Sequence, residues 1–167
     1  MRVAIVSDTH VPNRARAIPA WVREELERAE HVLHAGDWDA VDTVETIREL
    51  AGGADRLTGV RGNVDPPAVD LPEVATVELG GVTFVVTHGS GPHHGYRERV
   101  ANRVRAHGGT GAVGVAGHIH EYVDETVDGV RLLNPGSATG ASPASEPTMM
   151  VAEVADGTLS VDRRDAY

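Results

Sequence analysis

The sequence predicts an α/β fold in which helices flank either one mixed β-sheet or two packed mixed β-sheets. Three observations predict it: short apolar runs bounded by turn residues, helical apolar periodicity between the early runs, and hairpin turns between the late ones. Strand and helix alternate in the first part of the chain, whereas the last third reads as mostly antiparallel strand. At 167 residues the chain is expected to form one domain, residues 1–167.

Apolar runs predict six strands in the first two thirds of the chain. They lie at about residues 2–7, 31–35, 56–60, 74–79, 82–87 and 112–116. The pair Gly80-Gly81 between two of these runs is typical of a hairpin turn. The remaining runs are separated by helical patterns or loops, which indicates crossover connections and parallel pairing.

Three helices are predicted between these strands. The first begins after Pro19, which suits the first turn of a helix, and ends near Ala29. The second covers about residues 41–51 and is ended by Gly52-Gly53. Its apolar residues recur every three positions, at Val41, Val44, Ile47 and Leu50. The third helix covers about residues 96–107.

The last third of the chain reads as hairpins. Strands are predicted at about residues 122–127, 130–134, 148–154 and 158–162. Asp128-Gly129 and Asp156-Gly157 are strong hairpin signals. Residues 138–147 between the two hairpins are small and rich in Pro and Ser, and are expected to be the least ordered segment. They form either a plain connection or a mobile loop beside a site.

The composition restricts the possible functions. The chain has no cysteine, so disulfides, thiolate metal sites and a thiol nucleophile are excluded. The formal net charge is −10, which disfavours nucleic acid as a partner and leaves a bound metal as the centre that would attract an anionic substrate. All basic residues are Arg, so the surface is either an ordinary solvated one or one adapted to high salt. No membrane span or signal segment is evident, so a cytoplasmic location is expected.

Residues that can bind a metal follow five of the predicted strands. Because open α/β sheets place ligands beyond the carboxyl ends of their strands, these side chains are expected to converge on one edge. They are Asp8, His10, Asp37, Asn63, His88, His118 and His120. Carboxylate, imidazole and amide oxygen without sulfur suit Mn, Zn, Fe, Co or Ni. Seven ligands exceed what one ordinary ion needs and suit two ions ~3.5–4 Å apart that share a bridging carboxylate.

Glycines stand next to most of these candidate ligands. Gly36, Gly62 and Gly117 precede ligands, and Gly89 follows one. Glycine permits sharp turns because it has no side chain. These glycines are therefore expected to shape the turns and to leave room for a substrate against the backbone.

The order and spacing of five short motifs resemble those of the calcineurin-like metallophosphoesterases. The motifs are Asp8-x-His10, Gly36-Asp37, Gly62-Asn63, His88-Gly89 and Gly117-His118-x-His120. More narrowly, the chain looks like the small single-domain phosphodiesterase branch, which also includes the scaffold subunit of retromer. The resemblance covers about residues 1–137 and includes a late loop motif, Asn134-Pro135-Gly136-Ser137.

This resemblance implies a four-layer αββα sandwich and a phosphoesterase that depends on two divalent transition-metal ions, with Mn preferred. In the family pattern the first ion would be bound by Asp8, His10 and His120, and the second by Asn63, His88 and His118. Asp37 would bridge the two ions, and a hydroxide between them would be the nucleophile. The residues expected to take part in catalysis are Asp37, Asn63 and His118.

Val64 departs from the family pattern. Many family phosphatases have a His directly after the metal-binding Asn, where it holds the scissile phosphate and assists the leaving group. Val64 can do neither, although Asp65 is kept. The departure fits the small branch and favours a small phosphodiester as substrate. The alternatives are a phosphomonoesterase and a scaffold module, and seven competent ligands argue against the scaffold because convergent polar groups are costly to keep. A homodimer is also possible.

The other histidines allow two interpretations each. His34 is either a core residue or a support for the ligands. His93 and His94 are either solvated loop residues or substrate contacts that partly replace the His missing at position 64. His31 and His107 are expected at the surface, near the ends of their elements.

Three further side chains stand close to the motifs. Arg14 and Arg16 follow Asp8-x-His10 and are either solvated or in contact with substrate phosphate, which guanidinium groups bind well. Trp38 directly follows Asp37. It either lines a substrate pocket or packs beneath the loop.

Overall fold

The computed structural model describes residues 1–166 and contains two five-stranded β-sheets. In chain order the elements are β1 (Arg2–Val6), α1 (Ala20–Arg28), β2 (His31–His34), α2 (Val41–Ala51), β3 (Leu57–Gly59), β4 (Val74–Leu79), β5 (Val82–Thr87), α3 (Tyr96–Gly108), β6 (Val113–Val115), β7 (Tyr122–Val127), β8 (Val130–Pro135), β9 (Met149–Ala155) and β10 (Thr158–Arg164). A short 3₁₀ helix, Ala54–Arg56, precedes β3. The predicted strands and helices are all present, with bounds that differ from the predictions by one or two residues.

Both sheets are mixed. The first has the order β10-β9-β1-β2-β3, in which β1, β2 and β3 are parallel and the β9–β10 hairpin is antiparallel to β1. The second has the order β4-β5-β6-β8-β7, with β5, β6 and β8 parallel. Because β1, β2 and β5 all point the same way relative to the site, the loops that follow them meet at one edge of the molecule.

The two sheets pack face to face with helices on the outside. Residues of both sheets, such as Ile5, Leu33 and Phe84, form one fully buried cluster between them. A second cluster lies between the first sheet and α1 and α2, and contains Val22 and Ile47. A third lies between the second sheet and α3. The layers therefore follow the order helix, sheet, sheet, helix, as predicted.

The four regularly spaced apolar residues of α2 do not share one buried face. Val41 is 39% exposed and Leu50 is only half-buried, whereas Val44 and Ile47 are buried. Positions three apart advance about 300° around a helix, so four of them spread over roughly 180° and cannot share one face. The second buried row is supplied instead by Thr43 and Ala51, which stand four residues from Ile47.

The predicted hairpins form as expected. Asp128 and Asp156 have positive φ angles of 49° and 51°, and each is followed by a glycine that also has positive φ. Two consecutive positive φ values are what a tight two-residue turn between twisted strands requires. The longest helix, α3, has 13 residues, and no helix within residues 1–166 is long and apolar enough to cross a membrane.

Residues 138–147 connect β8 to β9 along the edge where the strands of the site end. Ala138 and Ala141 are buried, and the Ala138 N–H donates to the Ser7 carbonyl over 3.0 Å. The Thr148 N–H donates to the Ser137 carbonyl and closes the segment at its other end. The segment is thus a connection tied to the loop that follows β1.

His31 is buried, and the prediction of a surface position is wrong. It lies on β2, which is flanked by β1 and β3 on either side. Its Nε2 atom lies 2.8 Å from the Thr58 hydroxyl on β3, which satisfies the ring. A residue at the end of an inner strand is covered by its neighbours, and sequence alone does not show which strands are inner ones.

Candidate metal centre

The seven predicted ligands meet where β1, β2, β3, β5 and β6 end. Asp8 and His10 follow β1, Asp37 follows β2 and Asn63 follows β3. The second sheet supplies His88 after β5, and His118 and His120 after β6. Every one of these positions therefore lies in a loop at the carboxyl end of a strand, which is the placement that the apolar runs predicted.

Asp8, His10 and His120 form a fully buried group. His120 Nε2 lies 3.2 Å from Asp8 Oδ1 and 3.3 Å from His10 Nε2. His10 Nε2 lies 3.7 Å from the same Asp8 oxygen. Three ligand atoms of suitable type are thus close enough to hold one metal ion.

Asp37 lies between this group and His88. Its Oδ2 atom is 3.6 Å from His10 Nε2 and 3.1 Å from His88 Nε2. Asp8, Asp37 and His88 form a second group that could hold an ion. A single carboxylate oxygen of Asp37 is thus within reach of imidazoles from both groups, as a bridging ligand would be.

Asn63 and His118 form the exposed side of the centre. His118 Nδ1 lies 3.1 Å from Asn63 Oδ1, while its Nε2–H donates to the Gly91 carbonyl over 2.8 Å. Because Nε2 carries the proton, Nδ1 presents a lone pair toward Asn63. The ring of His118 is also in edge contact with that of His88, at 5.1 Å between centroids.

The three buried imidazoles are oriented by hydrogen bonds at their other nitrogen. Each uses Nδ1 toward an acceptor outside the cluster: Asp39 Oδ1 for His10 at 2.9 Å, the Ala35 carbonyl for His88 at 2.7 Å and the Ala141 carbonyl for His120 at 2.8 Å. A carbonyl can only accept, so Nδ1 carries the proton and Nε2 is left with a lone pair. This arrangement is the one found around imidazoles that bind metals.

Those lone pairs face carboxylate oxygens, which leaves the centre short of positive charge. Asp8 Oδ1 and His88 Nε2 are buried without a hydrogen-bond partner. A proton would be drawn to His88 Nε2: burial lowers the pKa of His88, but its contact with Asp37 and the charges of Asp8 and Asp37 outweigh burial and raise that pKa to about 9. Burial would raise the pKa of Asp8, yet the neighbouring imidazoles hold it well below its usual range. A metal cation therefore fits this set of residues.

Asp65 ties the loops after β2 and β3 together. Its carboxylate accepts the backbone N–H groups of Asp37, Trp38, Asp39 and Gly62 at 2.8–3.0 Å. Sequence reasoning noted only that this aspartate is kept. The signal for its role is its position three residues after Gly62, where an acidic side chain can turn back onto the preceding loop.

Gly62 and Gly117 make room for the ligands themselves. A Cβ atom at position 62 would lie 2.0 Å from Asp37 Oδ1, and one at position 117 would lie 2.0 Å from Ser7 Oγ. The sequence suggested that these glycines leave room for substrate; the structure shows that they leave room for neighbouring protein side chains. Any side chain there would displace the carboxylates that the centre needs.

Backbone strain is concentrated at this edge. Among the described residues, eight other than glycine have positive φ, and two of these lie in the Asp-Gly hairpins. The other six are Asp8, His10, Asp37, Asp39, His118 and His120. Positive φ is unfavourable for such residues, so the surrounding hydrogen bonds must hold these ligands in conformations that a relaxed chain avoids.

The late loop motif supports the same loops from behind. Asn134 Nδ2 donates to the Gly117 carbonyl and to the Tyr96 hydroxyl, both at 3.0 Å, and the Tyr96 hydroxyl donates to the same carbonyl. The Ser137 hydroxyl donates to the Asp8 carbonyl over 2.8 Å. Sequence reasoning missed the role of Tyr96 and of Asp39, which stands two residues after a ligand and binds the ring of His10.

Trp38 and His34 lie beneath the centre. Trp38 is 0% exposed, donates to the Val60 carbonyl and stacks on His34 at 3.5 Å between ring centroids, so it packs under the loop. His34 Nδ1 accepts the Gly36 N–H over 3.0 Å, and Nε2 lies 3.2 Å from the Thr9 hydroxyl. Burial lowers the pKa of His34 to about 3, so the ring stays neutral and supports the turn before Asp37.

The remaining candidates are exposed. Arg16, His93, His94 and His107 are all at the surface. The Arg14 guanidinium is also exposed and donates to the Ser142 carbonyl over 3.4 Å. Val64 is 41% exposed beside Asn63, and its side chain offers no proton to a leaving group. Substrate contact by His93 or His94 stays a prediction.

The sequence is similar to those of known metallophosphoesterases. The family description "Calcineurin-like phosphoesterase superfamily domain" matches residues 1–157. A probable metallophosphoesterase of Methanothermobacter thermautotrophicus is 28% identical over 155 residues, which cover 92% of this chain and 86% of that protein. A phosphodiesterase of Methanocaldococcus jannaschii is 30% identical over 155 residues, covering 84% of this chain and 86% of that protein.

Solved structures agree with the fold. The wild-type Vps29 of Entamoeba histolytica, crystallised in complex with Zn²⁺, superposes with a TM-score of 0.77 and 30% identity. The superposition covers 99% of each chain. That relative is thus a full-length match to this chain and is itself a metal-bound structure.

Proposed function

The chain belongs to the calcineurin-like phosphoesterase superfamily, and on that premise we propose that it is a phosphodiesterase that works with two divalent transition-metal ions. The observation that carries the proposal is the set of three buried imidazole Nε2 lone pairs that face the carboxylates of Asp8 and Asp37. Such a set is unfavourable without cations, because buried charged and polar groups are costly unless they are paired or bind a metal.

In this proposal Asp8, His10 and His120 hold the first ion. Asp8 Oδ1 favours this assignment because it lies 3.2 Å from His120 Nε2 but 3.9 Å from His88 Nε2. Asn63, His88 and His118 hold the second ion. Asp37 joins the two, since its Oδ2 atom approaches both His10 and His88. Mn is our preferred metal, and Zn, Fe, Co and Ni suit the same ligands.

Bound ions would supply a hydroxide nucleophile and neutralise charge on the phosphoryl oxygens. The chain itself holds the ligands by outer hydrogen bonds, and it leaves Asn63 and His118 open toward solvent for the substrate. What it lacks is a proton donor at Val64. A leaving group that departs without protonation is therefore favoured, and a diester is favoured over a monoester dianion because the protein carries a net charge of −10.

Two chromogenic esters test this preference. With Mn²⁺ added, we expect bis(p-nitrophenyl) phosphate to be hydrolysed with a higher kcat/KM than p-nitrophenyl phosphate. Both release the same chromophore, and each value is divided by its uncatalysed rate because the diester has the better leaving group. A monoester preference after this correction would contradict the proposal and make His93→Ala and His94→Ala the next variants to assay.

Similarity to Vps29 favours a second candidate, a binding module that keeps the fold without turnover. One experiment on a single protein preparation distinguishes the two candidate functions. A binding module would hold metal ions, as measured by elemental analysis, yet would hydrolyse neither ester with any of the five metals. Hydrolysis that disappears in Asp37→Asn would instead support the enzyme.

A further inference from the structure

A cleft of about 430 Å³ opens beside the exposed half of the centre. Its lining includes the candidate ligands Asn63 and His88 and the side chains of Arg61, Arg99 and Arg103. The volume lies within the range of pockets that hold small molecules, roughly 300–1,000 Å³. A ligand in this cleft would therefore be in reach of both the candidate metal centre and guanidinium groups.

The positive charges of these three arginines are not neutralised by ion pairs within residues 1–166. None of them pairs with a carboxylate within the described part of the chain, although Arg2, Arg97 and Arg131 elsewhere do so. Glu73 is the one acidic residue that lines the cleft, so the lining carries a formal charge of +2 on a chain of −10. A locally positive cleft on an acidic surface is suited to concentrate an anion.

Backbone carbonyls hold two of these guanidinium groups in place. Arg61 donates to the carbonyls of Val69 and Asp65 at 2.9 and 2.7 Å. Arg99 donates to the carbonyls of Gly89 and Pro92, both at 3.0 Å, and its Nε–H is buried without a partner. A neutral carbonyl orients a guanidinium without cancelling its charge, so N–H groups remain for a ligand.

Resting on the proposed function, we propose that this cleft binds a second phosphoryl group on the diester substrate, while the scissile diester lies at the ions. Guanidinium groups bind phosphate through paired N–H donors, and several arginines around one anion are typical of phosphate recognition. The hydroxyl of Ser90, which is exposed in the same cleft, adds a further donor. The substrate class is therefore a phosphodiester that also carries a phosphomonoester.

Binding of two nucleotides tests the cleft, and this test does not depend on which ester bond of the substrate is cleaved. Thymidine 3′,5′-bisphosphate and thymidine 5′-monophosphate differ only in the second phosphate. Each is used as an inhibitor of bis(p-nitrophenyl) phosphate hydrolysis, and its Kd for Mn-loaded protein is measured by calorimetry. We expect the bisphosphate to bind at least about tenfold more tightly, because charge-assisted hydrogen bonds to guanidinium are strong.

Arg103→Gln is the decisive variant, because its exposed side chain makes no hydrogen bond that holds a loop in the described structure. It should reduce the ratio of the two Kd values to about threefold or less. Arg105→Gln is the matched control: it removes the same charge from the same helix, but its guanidinium binds Asp128 and Asn102 outside the cleft. The control should keep the ratio of the unmodified protein.

Three results would overturn the inference: a ratio near one in the unmodified protein, an unchanged ratio in Arg103→Gln, or an equal loss in Arg105→Gln. The last would mean that net charge alone acts. Because the Kd values are measured without turnover, they decide the cleft even if no ester is hydrolysed, and absent hydrolysis would count against the proposed function alone.

Discussion

The two halves of the candidate centre are built differently. Asp8, His10 and His120 are buried, whereas Asn63 is exposed and His118 is half-buried. Imidazoles of both halves have a hydrogen-bond partner at the nitrogen that faces away from the centre, such as Asp39 for His10 and the Ala35 carbonyl for His88. The difference lies in exposure: Asn63 lines an open cleft, whereas Asp8, His10 and His120 do not. Under the proposed function, the buried half would retain an ion and the exposed half would meet the substrate.

Backbone strain does not follow the same division. His10 and His120 have φ angles of 47° and 57°, and each is held by a hydrogen bond to a buried acceptor. In the exposed half His118 has a φ angle of 76°, and its Nε2–H donates to the Gly91 carbonyl. A strained backbone is kept only where surrounding contacts determine it, so both halves contain a candidate ligand that the fold holds in place.

Removing the residue shared by both halves should have the largest effect. Asp37→Asn weakens the one carboxylate that approaches imidazoles of both groups, so both ions should loosen and kcat should fall by at least about a thousandfold. Steady-state hydrolysis of the diester measures this. Asp70→Asn, the same change at an exposed residue, should leave kcat within about twofold. His94→Ala should likewise have little effect on kcat. A loss comparable to that of Asp37→Asn would mean that the candidate ligands and the solvent-exposed residues were wrongly assigned.

Breaking each half separately should give different ion counts. We expect two ions per chain in the unmodified protein after metal loading and desalting, and about one in His118→Ala, because the buried half survives. His10→Ala should lose more, since it also leaves the buried carboxylate of Asp39 without the imidazole that it binds. Elemental analysis measures both. Equal counts in the two variants, or a value of one in the unmodified protein at saturating Mn, would remove the distinction between the halves.

The support beneath the buried half should show in the pH dependence of stability. Burial lowers the pKa of His34 to about 3 from an ordinary 6.5. Between these two pH values the imidazole is protonated in the unfolded chain and neutral in the folded chain. His34 therefore contributes its full stability above pH 6.5 and loses it as the pH falls, by about 2 kcal/mol at pH 5. Urea denaturation at pH 7.5 and pH 5 should show this loss to be smaller in His34→Asn. His107→Asn, at an exposed position, should keep the slope of the unmodified protein.

Salt should have the smallest effect and should act on the surface outside both halves. With metal held saturating, we expect Tm to rise modestly between low salt and molar KCl, because salt screens the self-repulsion of a chain of net charge −10. Melting curves across KCl concentrations measure it. A flat or falling Tm would remove high-salt adaptation as the reason for the lysine-free composition.

The sequence contained most of the fold because its local signals agree with each other. The apolar runs of β1 and β5 end where polar ligands begin, and Asp-Gly pairs mark both late hairpins. All seven candidate ligands, which the structure brings together, could be named for the same reason: each follows a strand, and the carboxyl ends of those strands meet. The spacing of apolar residues in α2 did not by itself identify its buried face, because positions three apart drift around a helix and Val41 is exposed.

The supports of the centre could not be read in the same way. Asp65 and Asp39 act through loop geometry, and the acceptor for His120 is the carbonyl of Ala141, a residue whose side chain carries no chemical signal. Of the arginines that line the cleft, Arg61 lies in the loop after β3, whereas Arg99 and Arg103 lie on α3, far away in sequence. Such partners depend on where loops come to rest after folding, which periodicity does not encode.

The division of the ligands between the two sheets bears on how the protein folds and unfolds. Asp8, His10, Asp37 and Asn63 come from the first sheet, and His88, His118 and His120 from the second. No complete set exists until the layers have met, so ions should bind after the rate-limiting step of folding. Under the proposed function, we expect metal to slow unfolding and to leave the refolding rate nearly unchanged, so bound ions would be a source of kinetic stability.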